Sequence, residues 1–307
     1  MRCLLIAPAS VDVQVLSDVL AEQGNEVLSS AELGAGVTLA DAAIDRADCA
    51  VAVLPSGSAR SAEGLAAVFI EIGIVVGRGL PTLVIVEPPD APPAALAGVT
   101  IVRTPLDHID ALRLHLRMFT LSAVSGSARR RTAAPAVLEP STIAEFRTRL
   151  DAIRNPAYDE RSTGRGVEHS RWYRLERLIF DILSTAGAVL WTGVKLSTSP
   201  PSEADAVAYV PGTESVLGAI IVEVKLRRLT ETDLQLTREQ LQAQMIAGRA
   251  SFGLLVYDSL ISGAHEVSVP YFMLVLSVDG LLAELEHLPL AELLLRARNR
   301  SVHGALT

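Results

Sequence analysis

The sequence predicts a two-domain α/β protein, and three observations predict it. Over residues 1–122, short apolar runs alternate with helix-length runs; residues 123–140 lose hydrophobic periodicity; beyond them come a helix, three strands in quick order, a helix and a strand. Strands that alternate with helices pair in parallel, because each crossover returns the chain to run in the same direction. The first unit is therefore expected to be a doubly wound parallel sheet. The second, with strands joined by a short hairpin, is expected to hold a mixed sheet with flanking helices.

The elements follow in order. "CLLIAP" (3–8) is a strand, "VLSDVLAEQG" (15–24) a helix closed by Gly24, and "EVLSSAEL" (26–33) a second strand. A helix is expected at 38–47, a strand at 49–55, and a Gly/Ser loop, "SGSARSAEG", at 56–64. A long apolar helix (65–78), strands 81–87 and 99–104, and an amphipathic helix (107–122) close the unit, which is flavodoxin-like in its expected layout. Residues 123–140, with "SARRRTAAPAVLEP", read as a linker. Thr142 and Glu145 form the capping-box pattern at the next helix start. After a polar loop (155–170) come a helix (172–187), strands 188–197, 204–211 and 218–226, a polar helix (231–248), strands 252–259 and 271–278, and a last helix (289–300).

Composition narrows the function classes. The 307 residues are 50% hydrophobic and 20% charged, a globular balance that excludes a disordered chain. The longest apolar run, 64–77, is interrupted by Glu71 and falls short of the roughly 20 residues that span a bilayer. The first ten residues lack the apolar core of a signal peptide, so a cytoplasmic protein is expected. Cys3 and Cys49 have neither ligand spacing nor a disulfide framework and read as buried thiols. The net charge of −8 divides into −7 for 1–122, +2 for 123–140 and −3 for 141–307, which directs any polyanion to the second half. Arg147, Arg149, Arg154, Arg161, Arg165, Arg171, Arg174 and Arg177 are clustered there, with five acids among them.

The most informative stretch is "IIVEVKL" (220–226), an apolar run containing Glu223 and Lys225. Side chains two apart in a strand share a face, so a carboxylate and an ammonium stand side by side where unpaired charge is costly. Of 27 basic residues 25 are arginine, and Lys195 and Lys225 are the exceptions. A compact ammonium at such a place suggests a site that an arginine fork would not fit. The hairpin before this strand brings Asp205 beside Glu223, and two adjacent carboxylates with hard oxygens suit Mg²⁺ or Mn²⁺. Glu176 interrupts the apolar stripe of helix 172–187, and Gln240 and Gln244 share one face of the polar helix. A metal, an attacking water and a cation are the parts of phosphodiester hydrolysis.

These residues resemble the PD-(D/E)XK nuclease fold of restriction endonucleases, whose core order is α-β-β-β-α-β. The resemblance covers roughly 172–260. It implies a restriction-endonuclease-like domain over 141–307, with Asp205 and Glu223 as metal ligands and Lys225 as catalytic cation. It makes Glu176, Gln240 and Gln244 accessory catalytic positions. Ala204 stands where the family's proline precedes its acid. The implied activity is Mg²⁺- or Mn²⁺-dependent endonuclease cleavage, DNA before RNA, in restriction or antiviral defence.

In the first domain, "VFIEIGIVVGRGLP" (68–81) places Glu71 on a helix that is apolar nearly all round, after a loop at a strand's carboxyl end. This stretch resembles the nucleoside deoxyribosyltransferase-like and Toll/interleukin-receptor-like group, whose helix glutamate acts on N-glycosidic bonds. The loop lacks the transferases' aspartate and offers Ser56, Ser58 and Arg60 instead, a set suited to a phosphate. The resemblance implies a nucleotide-sensing domain or, alternatively, an N-glycosidase or NAD hydrolase centred on Glu71, the second domain then being a nucleic-acid-binding module. Arg298 and His303 resemble the R-x4-H motif of HEPN ribonucleases, but a single helix precedes them, and they read as cations at a helix end. The expected partners are nucleic acid, a nucleotide on the first domain and further copies of the chain, with no membrane.

Overall fold

The first sheet is built wholly from the apolar runs. The computed structural model describes residues 1–29, 44, 46–57, 62–90, 96, 99–129, 137–155, 165–198, 201–226, 231–258 and 272–303. Within them β1 (Arg2–Ile6), β2 (Glu26–Ser29), β3 (Cys49–Leu54), β4 (Thr82–Val86) and β5 (Thr100–Arg103) form one parallel sheet in the order β2-β1-β3-β4-β5. This is the doubly wound order that the alternating pattern predicts. Strands β3 and β4 are buried at every residue, as expected of parallel strands covered on both faces. Helices α1 (Gln14–Glu22), α2 (Ala62–Gly77) and α3 (Ile109–Arg129) belong to this unit. The expected helix at 38–47 falls almost wholly outside the described residues. Cys3 and Cys49 are register neighbours, both fully buried; their mutual hydrogen bond and burial push the Cys3 thiol up, so it is not a reactive thiolate.

The second sheet has the order β10-β9-β8-β7-β6, from β6 (Val189–Thr198), β7 (Pro201–Tyr209), β8 (Ile220–Leu226), β9 (Phe252–Asp258) and β10 (Met273–Ser277). β6, β7 and β8 pair antiparallel, whereas β8, β9 and β10 pair parallel, so the sheet is mixed. One face packs against α4 (Pro140–Arg154), α5 (Arg165–Thr185), α8 (Val278–Leu285) and α9 (Leu290–His303). The other packs against α7 (Glu231–Ala247) and α3. A four-residue helix, α6 (Glu214–Leu217), stands in the turn between β7 and β8.

Helix α3 joins the two sheets. Leu112, Leu116, Phe119 and Ala123 repeat at helical spacing and pack on the first sheet, while Leu114 and Met118, also one turn apart, pack against the second. The sequence predicts an amphipathic helix with one apolar face ending at 122 and a linker from 123. The structure corrects both: the helix runs on to Arg129 and is apolar on two faces. Gly253 marks how tightly the second sheet is covered. A Cβ there would stand 2.8 Å from Met245 Sδ and 3.0 Å from Leu241 side-chain atoms. Gly253→Ala is therefore expected to destabilise the protein by about 1–3 kcal/mol in urea unfolding.

Other boundaries differ from expectation for local reasons. Thr142 does not cap α4; Pro140 occupies its first turn after Glu139, where a missing N–H costs nothing. The expected loop 155–170 gives way to α5 at Arg165. Asp205 lies inside β7 rather than opening it. The run read as strand 271–278 ends at Ser277, whose hydroxyl accepts from the Gly280 N–H at 3.0 Å and starts α8, a helix the sequence reading lacks. The helix expected to be apolar nearly all round leaves Ile70 and Val76 exposed. No helix among the described residues is long and apolar enough to cross a membrane.

Candidate active site

The carboxyl half of β8 carries the site. Ile220, Val222 and Val224 pack into the core under α5, so the intervening Ile221, Glu223 and Lys225 face α7. Glu223 is 2% exposed, and its charge is matched by three donors. Lys225 Nζ pairs with Oε1, Gln240 Nε2 donates to the same oxygen at 3.0 Å, and Gln244 Nε2 donates to Oε2 at 3.0 Å. The two glutamines, one helical turn apart on α7, thus grip both oxygens of one carboxylate. Gln244 Nε2 also donates to the Glu203 carbonyl of β7 at 2.7 Å, tying the helix to the sheet.

Asp205 arrives from the neighbouring strand. The β7–β8 ladder pairs Ala206 with Val222, and the next positions in that register are Asp205 and Glu223. There the Asp205 carboxylate accepts the Val224 N–H at 2.7 Å, taking the place of a ladder carbonyl. Across β6, Gly193 has φ +60°, a conformation that favours glycine. Beyond it Val194 and Ala204 pack with Val207 and Tyr209, whereas Ala206 packs on the opposite face, so side-chain alternation resets at Asp205.

The electrostatics are those of crowded negative charge. Burial, then the Glu223 carboxylate, push Asp205 up to about 7, against the pull of the Val224 N–H and Lys225. Burial, and after it Glu223, also raise Glu176, which reaches the cluster from α5, with Arg177 opposing. The carboxylates of Asp205, Glu223 and Glu176 thus repel one another, with Lys225 opposing at Asp205 and Arg177 at Glu176. No group of three or more His, Cys, Asp or Glu side chains arranged to hold a metal occurs among the described residues. Asp205 and Glu223 nevertheless supply two hard oxygen donors, and Mg²⁺ typically takes one or two carboxylates with the rest water. The donor set fits such an ion.

Trp172, Asp233, Leu236 and Thr237 adjoin this cluster and were not singled out as site residues from sequence. With Lys225, Leu226 and Gln240 they line a cavity of about 380 Å³. Trp172 is half-buried on α5, one helical turn before Glu176. Gln244→Ala would leave Glu223 Oε2 buried without its donor, at an expected cost of about 1–3 kcal/mol in urea unfolding.

Of the clustered arginines, Arg147, Arg149, Arg154, Arg171 and Arg177 make ion pairs, hydrogen bonds or ring contacts, and the Arg165 side chain lies outside the described residues. Arg147 pairs with Glu286 at 2.8 Å, Arg149 with Asp181 at 2.5 Å, and Arg154 with both Asp258 and Asp279 at 2.5 Å. Arg171 donates to the Ile153 carbonyl, and Arg177 lies 5.7 Å over the Tyr173 ring. Arg161 lies outside the described residues.

The first domain's candidates stand on the other sheet. Ser56 follows β3, and its N–H donates to Glu87 Oε2 at 3.3 Å; Glu87 Oε1 accepts from the Leu106 N–H at the same distance. A carboxylate thus holds the amide that a phosphate would use. Glu71 is half-buried on α2, and Ser58 and Arg60 lie outside the described residues. Arg298 donates to Asn299 Oδ1 at 3.4 Å on α9, and the His303 side chain is outside the described residues.

No protein-family model and no curated protein matches the sequence. Among solved structures the chain is similar to protein VC1899 from Vibrio cholerae, at 12% identity over 96% of this chain and 98% of that one, with a TM-score of 0.33. A likeness that slight carries no argument about site or activity.

Proposed function

We propose that the second domain is a metal-dependent nuclease that hydrolyses phosphodiester bonds, DNA before RNA, with the first domain as a nucleotide-sensing or partner domain. One observation carries the reading: Asp205, Glu223 and Lys225 converge at the end of β8, and Gln240 and Gln244 fix the glutamate. Asp205 and Glu223 would hold the Mg²⁺ or Mn²⁺ ion. That ion supplies Lewis-acid polarisation of the phosphoryl group and a lowered pKa for water.

The chain's own residues have distinct tasks. The Val224 N–H and the two glutamines orient Asp205 and Glu223, so no reorganisation is needed when substrate arrives. Lys225 keeps its ammonium at the mouth of the cluster, 27% exposed, where it can donate to phosphoryl oxygens as charge builds there. Water adds its oxygen to phosphorus, the bond from phosphorus to the leaving sugar oxygen breaks, and that oxygen takes up a proton. Trp172 and Leu236, beside Lys225, offer apolar surface to a flanking base.

The test is cleavage of single- and double-stranded DNA and of RNA by the full chain in Mg²⁺ or Mn²⁺, with and without chelator. Chelator-sensitive cleavage that disappears in Glu223→Ala supports the reading. Cleavage that survives chelator, or its absence on every substrate with and without added nucleotides, sinks it.

A further inference from the structure

We infer that the junction between the two sheets holds a second ligand site, distinct from the carboxylate cluster, for a small molecule with an anionic group and a flat apolar body: a mononucleotide. A cavity of about 510 Å³ opens there between β5, α3, the α6–β8 turn, α7 and the start of β10. That volume lies within the range of small-molecule sites, about 300–1,000 Å³, which favour domain junctions.

The lining specifies the chemistry. Arg103 and Arg249 line the cavity and no Asp or Glu does, in a chain whose net charge is −8. The Arg103 guanidinium donates to the main-chain carbonyls of Pro89 and Asp90, which fix its direction without neutralising it. The Arg249 side chain makes no ion pair among the described residues. Guanidinium groups placed this way suit a phosphate. Beside polar Gln242 and Ser251 the wall carries apolar side chains: Val216, Ile246 and Phe272 are 41%, 65% and 41% exposed, and all three line this one cavity. Apolar side chains gathered in a concavity beside cations match a ring joined to an anion.

Two further features shape the cavity wall. Arg249 and Phe272, with φ of 51° and 74°, are the non-glycine residues of positive φ among the described residues, and both line the cavity. Arg249 takes its conformation as the left-handed residue that ends α7, where the Ala250 N–H donates to the Met245 carbonyl at 2.9 Å. His115 also lines it; its Nε2 meets the Gly248 carbonyl at 3.0 Å, while the buried Nδ1 has no partner. Burial, against the Gly248 and Arg249 carbonyls, pushes this imidazole down to about 4, so it is neutral and leaves Arg103 and Arg249 as the charged groups of the lining.

Titration calorimetry of the full chain with adenosine and guanosine 5′-monophosphates, and with inorganic phosphate, tests the site without reference to nuclease activity. At least one mononucleotide is expected to bind with a Kd below about 1 mM. Arg249→Gln and Ile246→Asp, both changes to exposed side chains, are each expected to weaken it at least about tenfold while circular dichroism is unchanged. Glu71→Gln separates the alternatives. Loss of binding in Glu71→Gln but not in Arg249→Gln places the nucleotide on the first domain and overturns the proposal. Phosphate binding as tightly as the nucleotides, or no binding by either, overturns it too.

Discussion

Lys225→Ala is expected to lower metal-dependent cleavage by about 10²–10⁴-fold, the range for removing a charge-stabilising group from a phosphoryl-transfer site. Lys225→Arg is expected to lose nearly as much. The ammonium reaches Glu223 from two residues away on the same strand face, in a niche bounded by Gln240 and Trp172. A planar guanidinium is longer and prefers to bridge both oxygens of a carboxylate, but Gln240 and Gln244 already occupy both. Single-turnover rates at saturating Mn²⁺ separate the outcomes. Loss in both variants with unchanged melting temperatures supports a catalytic ammonium. Full activity in Lys225→Arg would reduce the pair to a structural ion pair.

Asp205→Asn is expected to abolish cleavage and yet to stabilise the metal-free protein at pH 8, by on the order of 2 kcal/mol after screening and about 5 °C in Tm. Asn retains an oxygen for the Val224 N–H but carries no charge beside Glu223. The carboxyl is held at about 7 in the folded protein, above its value in an unfolded chain, so folding takes up a proton. The stabilisation is complete below the unfolded value of about 4 and is lost as pH rises through about 7. The advantage of Asp205→Asn should therefore shrink towards pH 4. Millimolar Mn²⁺ should raise the Tm of the wild-type protein and not that of Asp205→Asn. Melting curves at pH 4.5 and 8 check both statements, and a lower Tm for the variant at pH 8 would refute the charge-crowding account.

Elements were legible where one residue type dominated their surroundings. The apolar runs at 49–54 and 82–86, and the run around Glu223 and Lys225 at 220–226, read as buried sheet, and the helices between the first two set the parallel order of the first sheet. Glu223 and Lys225 were legible because charge inside such a strand is anomalous. Helix α3 was misread because Leu114 and Met118 look like the ragged edge of one apolar face until a second sheet supplies a neighbour. The partners of the clustered arginines were not legible, because Asp181, Asp258, Asp279 and Glu286 come from other elements of the chain. Thr142 failed as a cap because Pro140, two residues earlier, already starts the helix.

What the sequence by itself determined was the pair of sheets, the parallel order of the first, and the candidacy of Asp205, Glu223, Lys225, Glu176, Gln240 and Gln244. Periodicity and the cost of burying charge are local properties, readable one element at a time. Only the tertiary structure decided that Asp205 takes the Val224 N–H, that both glutamines hold one carboxylate, and that α3 lies between the sheets with Arg103, Arg249 and His115 around one cavity. Those arrangements depend on which side chains from separate elements share one volume. Packing fixes that for the whole chain at once, and no single stretch of sequence carries it.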